Sequence, residues 1–352
     1  MPLPAPSCDP LIAPLSPSKG VLYPLTDPSL RLDAMAELPT PIHALSTMWS
    51  QGRFRSDGAD TDDMIAFAQA TARLGFPAIE INYVIPPDGV EALLTNTHVA
   101  IASLHSPTPR IKTPNGKSSD ALNLASPDED ERALAVERAL ITIDHAARCG
   151  ARFIVVHLGG IDGGMFEEER QLRKRYDADQ RDGAEIDALR RRAVERRAEA
   201  VPTFLPHAAR SLAEIAAHAA ANGVAVGLEN RYHYHEFPGP GEMRELLDDY
   251  PANVAGFWLD IGHAEVLGGL GLERHDRWLN ELGDRCIGTH VHDVDGLADH
   301  RAPGHGTADW PHYAAKLPPD APRIFEINQR IPEDQVAAAI PFLREQGVLP
   351  PA

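Results

Sequence analysis

The chain has 352 residues, 43% of them hydrophobic, and a formal net charge of −18. That length suits one large α/β domain or two ordinary ones, with enough apolar residues for a substantial core. The acidic balance argues against general nucleic-acid binding, which needs clustered Lys and Arg to neutralise phosphates, and no stretch approaches the ~18 uninterrupted apolar residues of a membrane span.

Residues 1–40 are rich in proline and without clear period, and read as an extended N-terminal arm. They lack the basic and apolar regions of a signal peptide. Cys8, Cys149 and Cys286 are an odd, scattered set, expected of a cytoplasmic protein rather than a disulfide framework. From residue 41 to 348 short apolar runs alternate with helical patterns. The strand candidates are IHALST (42–47), AIEINY (78–83), VAIASLH (99–105), RFIVVHLG (152–159), VAVGLEN (224–230), GFWLDIG (256–262), CIGTHVHD (286–293) and RIFEIN (323–328). Helical patterns lie between them. One, at 128–150, opens on acids after Ser126-Pro127 and stops at Gly150. Strands alternating with helices predict a parallel sheet, and eight such units predict an α/β fold of the closed (β/α)8 TIM-barrel type. Without a G-x-G-x-x-G after the first strand, an open dinucleotide-binding sheet loses support. The mixed-charge segment 167–199 is expected to be a solvated helical insertion after the fourth strand.

From the third strand onward each apolar run closes on a side chain that can ligate a metal: His105, His157, Glu229, Asp260 with His263 three residues later, His290, and Glu326. In a parallel barrel these ends share one face, where active sites form. Three carboxylates gathered there would repel one another unless some took up protons. A divalent cation removes that conflict, and mixed Asp, Glu and His donors suit Mn²⁺, Mg²⁺, Co²⁺, Fe²⁺ or Zn²⁺. His292 and Asp293 are expected to face away from His290, with Asp293 orienting a ligand. The loop after the fifth strand offers Arg231, His233 and His235 as substrate contacts, with Glu236 beside them. The tight loop 299–310 adds Asp299, His300 and Arg301.

Taken together, LHSP, VVHLGG, GLEN, LDIGHA, HVHD, DHRAPGHG and FEIN resemble the xylose-isomerase-like TIM-barrel superfamily, over about residues 41–345. That superfamily holds sugar-phosphate isomerases and epimerases together with apurinic-endonuclease-type phosphodiesterases. The resemblance implies a four-ligand metal site at Glu229, Asp260, His290 and Glu326. It also implies a substrate-holding role for His263, and an acid–base pair in Glu229 and Glu326 whose order is unassigned. The implied chemistry is isomerisation or epimerisation of a sugar or sugar phosphate through an enediolate, with a small carbohydrate as the partner. The endonuclease branch carries a larger, three-zinc set. His105, His157, His263 and His300 fall where its extra ligands would lie, but the Asp that precedes its last His by two residues is Ala298 here, with Asp299 displaced by one. The alternative expectation is therefore a multinuclear hydrolase of a small phosphodiester rather than duplex DNA. A homodimer is the default assembly.

Overall fold

The computed structural model describes residues 42–351 apart from 97 and 115, so the N-terminal arm read at 1–40 lies outside the described residues. Eight parallel strands close into a barrel: β1 (His43–Ser46), β2 (Ala78–Ile81), β3 (Ala100–His105), β4 (Phe153–Val156), β5 (Ala225–Glu229), β6 (Ala255–Asp260), β7 (Cys286–Val291) and β10 (Arg323–Phe325). Each neighbours the next in sequence order, and β10 closes the ring on β1. A short antiparallel hairpin, β8 (Asp293–Asp295) and β9 (Ala298–Arg301), stands outside the ring. All eight predicted strands are present. Among the described residues no helix is long and apolar enough to cross a membrane.

The helices form where the sequence signals them. Helix α1 (Met64–Arg73) is capped by the Asp63 carboxylate, and α2 spans Pro87–Leu94. Helix α3 (Glu129–Cys149) is capped by Asp128 and stopped by Gly150 in the left-handed conformation.

The interior of the barrel is filled by one layer of inward-facing side chains, Ala44, Ala78, Ala102, Val155, Trp258 and Ile324. Trp258 acts as a plug. It is fully buried, and a Cβ on Gly227 or Gly288 would come within 2.7 or 2.1 Å of its indole. Side chains alternate along a strand, so the residue two positions on points to the same interior, one layer nearer the mouth. That rule turns Val155 into His157, Gly227 into Glu229, Trp258 into Asp260, Gly288 into His290, Ile324 into Glu326 and Ala78 into Glu80. The polar ring therefore sits directly on an apolar floor.

The segment 167–199 is helical, but packing corrects the expectation that it is merely solvated. It forms α4 (Glu167–Asp177) and the first turns of α5 (Ala184–Ala221), a 38-residue helix that also coats the barrel. Leu172, Ile186, Leu189 and Ala193 bury themselves against Val266, Leu267 and Leu270 of α7 (Ile261–Leu270), forming a second apolar cluster. The long side chains visible in the sequence sit on the outer face, while every third or fourth residue is apolar and faces inward. Helix α6 (Pro240–Leu247) lies between β5 and β6 in the chain.

Candidate metal centre

Glu229, Asp260, His290 and Glu326 come from four adjacent strands, β5, β6, β7 and β10, and meet at the mouth. One donor atom from each lies within 4.8 Å of the others, and the two glutamates, the aspartate and the histidine are all buried. His290 Nδ1 stands at the middle of the set, 3.4 Å from Glu229 Oε1, 3.2 Å from Glu326 Oε2 and 3.7 Å from Asp260 Oδ2.

Among the described residues three further donor groups overlap this one: one joins His105 to His290 and Glu326, and the other two flank it. On one side His105 and His157 place their Nε2 atoms 3.0 and 2.8 Å from Glu229 Oε2. On the other, Asp260, His263 and His300 form the second flanking group. Asp260 does two jobs there. It ends β6 as the N-cap of α7, its Oδ1 accepting from the His263 backbone N–H at 2.7 Å, and so presents His263 on the first turn. Asn230 ties β5 to β6 by bonding the Asp260 backbone in both directions, while the Asn230 carbonyl lies 2.9 Å from His263 Nδ1. His300 has φ +55°, an unusual conformation for a non-glycine residue. It is held by its backbone N–H donating to His292 Nδ1 at 2.9 Å and by stacking of the two rings at 4.3 Å. Asp299 lies 3.0 Å from His300 and 3.8 Å from His263.

The electrostatics match the geometry. Burial alone would raise the carboxyls, but the imidazoles of His157 and His290 and the hydrogen bonds from His105 and His157 hold Glu229 well below the usual range, and His263 and His292 do the same for Asp260. Burial likewise opposes ionisation of Glu326, and His290 and His300 bring it down to about 2. Burial would lower His290, yet the charges of Glu326, Glu80 and Glu229 lift it well above its ordinary value. His300 is raised against burial by Asp299. His157 goes the other way, lowered by burial to about 3. Buried carboxylates this close are costly without a cation among them. The oxygen and imidazole donors fit a hard or borderline divalent ion, and among the described residues no thiol lies in any donor group.

The remaining expected contacts divide. Arg231 stands beside the centre, 3.9 Å from Glu229, with its Nε and one Nη held by Glu236. His233 turns instead to the buried Glu169 of α4, 2.9 Å away, and Glu169 also accepts from the Tyr234 backbone and from Arg173. Tyr234 N–H and His233 thus bind the 231–236 loop to the helical segment. His235 leaves its Nδ1 buried and unpartnered among the described residues. Arg301 points to Asp295 at 3.6 Å, away from the centre.

His292 corrects the expectation that it faces outward. A period of two puts it on the same face as His290, and its Nε2 lies 3.0 Å from both Asp260 oxygens. Asp293 does alternate away, and it orients a loop rather than a ligand: its carboxylate accepts from the backbones of Val294, Gly304 and Ala308 and from Trp310 Nε1. The second strand also supplies residues to the mouth that were not among the expected ligands. Glu80 and Asn82 stand at its end, with Asn82 donating to Glu326 Oε1 at 2.8 Å. The signal was there: AIEIN closes an apolar run on an acid just as FEIN does.

An eight-stranded parallel barrel with a buried carboxylate–histidine centre at its C-terminal mouth defines the class of fold. The chain belongs to the xylose isomerase-like TIM barrel family, whose profile matches residues 68–346. No curated protein matches it. Among solved structures it is similar to a D-tagatose 3-epimerase-like protein, at 21% identity and TM-score 0.59 over 87% of this chain and 96% of that one. It is also similar to a D-allulose 3-epimerase from Methylomonas, at 18% and 0.59 over 88% and 99%. A third is the TTHB071 protein from Thermus thermophilus, soaked with zinc chloride, at 22% and 0.53 over 87% and 98%.

Proposed function

We propose that this protein is a divalent-metal-dependent sugar or sugar-phosphate isomerase or epimerase. One observation carries the reading: two buried glutamates, Glu229 and Glu326, face a common centre at the ends of β5 and β10 with His290 between them. Family membership and the epimerase names of similar folds support it. Glu229, Asp260, His290 and Glu326 would hold the ion, which when bound would polarise a substrate carbonyl and steady the negative charge that develops on it. One glutamate, as the carboxylate, takes the proton from the carbon next to the carbonyl and can hand that proton to the neighbouring carbon; delivery to the opposite face requires the other glutamate to have first taken up a proton from solvent. Asn82 fixes the Glu326 carboxylate by its 2.8 Å hydrogen bond. Tyr83, beside His105 and His157, keeps its phenol proton because burial and the charge of Glu326 push it up, and it offers a hydrogen-bond donor at the cavity wall. The cations lining the cleft already face acids, Lys117 toward Glu131 and Arg231 toward Glu236, which favours the unphosphorylated sugar.

The test is incubation with candidate ketoses in D₂O. Deuterium on carbon is expected, and Glu326→Gln should cut its incorporation by a factor of ~10²–10⁴ while leaving the fold intact. Undiminished exchange would remove Glu326 from its role.

A second reading, hydrolysis of a small phosphodiester at a multinuclear centre, is favoured by the flanking groups His105–His157–Glu229 and Asp260–His263–His300. Two ions ~4 Å apart clamp the attacking and leaving oxygens of such a displacement. Turnover of a chromogenic phosphodiester, with no carbon-bound deuterium from any ketose, would select it.

A further inference from the structure

We propose that Glu80 selects the tautomer of His290, making it a positioning residue for the metal without being a ligand. The inference rests on the metal centre described above and assigns a role to a side chain on β2, a strand that supplies none of the four ligands. Glu80 is completely buried and belongs to none of the donor groups. Its Oε2 lies 3.2 Å from His290 Nε2 and accepts from Ser103 Oγ at 2.8 Å; its Oε1 has no hydrogen-bond partner among the described residues.

A neutral imidazole carries one N–H. Glu80 Oε2, which already accepts from Ser103, acts as an acceptor toward the ring as well and stabilises the proton on Nε2, and that leaves the Nδ1 lone pair facing Glu229, Asp260 and Glu326. The other tautomer would aim a lone pair at Glu80 and an N–H at the ion. The ring has little room to escape by rotating, because Trp258 meets it edge-on at 5.5 Å and His105 stacks on it at 5.5 Å. Backbone geometry is arranged for this contact. The β2–β3 register shifts between Ile79 and Glu80, so that Glu80 pairs with Ser103 rather than with Ala102, which has no hydroxyl to offer. The same shift lets His105 point inward three residues after Ala102 instead of two.

The experiment uses the full chain, stripped with chelator and titrated with Zn²⁺ against a chromophoric competitor. Glu80→Met, close in shape but with no acceptor, is expected to weaken binding 10–100-fold. Glu80→Gln keeps a carbonyl oxygen for the Nε2 proton and is expected to stay within about threefold of the unsubstituted protein. Nitrogen-15 spectra of the zinc-loaded protein should carry an exchange-protected His290 Nε2 proton, retained in Glu80→Gln and lost in Glu80→Met. Ser103→Ala, which frees one hold on Glu80, should weaken binding a few-fold and supplies the test if Glu80→Met does not fold. Unchanged affinity in Glu80→Met, or equal losses in the Met and Gln variants, would overturn the assignment while leaving the metal centre standing. Failure of the unsubstituted protein to bind Zn²⁺ would remove the centre and the assignment together.

Discussion

Loading the centre with a divalent ion should expel a proton from His290. In the ion-free protein His290 is lifted well above its ordinary value, so it carries an extra proton at pH 7, whereas Glu229, Asp260 and Glu326 are already ionised. A ligating imidazole must offer a bare nitrogen, and metal binding therefore releases about one proton per ion at that site. Affinity should rise about tenfold per pH unit, worth ~1.4 kcal/mol, until the pH passes the raised value of His290. The proton count also distinguishes how many donor groups fill. His300 is raised too, so occupation of the Asp260–His263–His300 group adds a second proton, while His157, at about 3, is already neutral and adds none. Calorimetric titration of Mn²⁺ into chelator-treated protein, in two buffers of different ionisation heat at pH 6, 7 and 8, reads the number directly. Tight binding with no proton released at pH 6–7 would refute the reasoning, because it would mean that His290 is neutral among three carboxylates or is not a ligand.

Stability of the ion-free protein should depend on pH from both sides. The raised His290 and His300 stabilise the fold fully below ~6.5 and lose that contribution as pH climbs through their folded values, whereas the depressed Glu229, Asp260 and Glu326 contribute above ~4.3 and lose it as pH falls through their lowered values, about 2 for Glu326. Urea unfolding between pH 3 and 9 should therefore peak near pH 5–6, and a peak above pH 8 would contradict these shifts. Asp293→Ala strands four donors that its buried carboxylate satisfies, each worth ~1–3 kcal/mol if left bare; a loss of about 4 kcal/mol is expected, read from denaturant midpoints. Gly262→Ala would place a Cβ 2.0 Å from His292 Cε1 and push that ring off Asp260, so destabilisation of ~1–3 kcal/mol with weaker metal retention is expected. Gly241→Ala, in open space on α6, is the control and should be neutral or slightly stabilising in the same melts.

The barrel was legible because its signals are local. Each strand run is short, apolar and bounded, and Asp63, Asp128 and Gly150 mark helix ends with the chemistry those ends need. The centre was partly legible for the same reason: an acid or imidazole finishing an apolar run has to meet something at the mouth. What escaped depends on partners distant in sequence. Glu80 ends a run like the others, yet its meaning comes from Ser103 and His290, 23 and 210 residues away. His292 was misjudged by grouping it with Asp293, although alternation along 286–293 returns it to the face of His290. Glu169 was hidden inside a run of charges, and only the fold of α4 against the 231–236 loop distinguishes it from its solvated neighbours Glu167 and Glu168. His300 was read as a candidate from its sequence, although the left-handed backbone that presents it was announced by no local pattern.

Metal analysis of the protein purified without chelator tests the central claim most directly, when paired with the same analysis of Asp260→Asn. At least one divalent ion per chain is expected, largely lost in the variant, with one ion favouring proton transfer and two or three favouring the multinuclear reading. A chain that carries no ion, and whose melting temperature does not move on adding Mn²⁺, Co²⁺ or Zn²⁺, would contradict that claim.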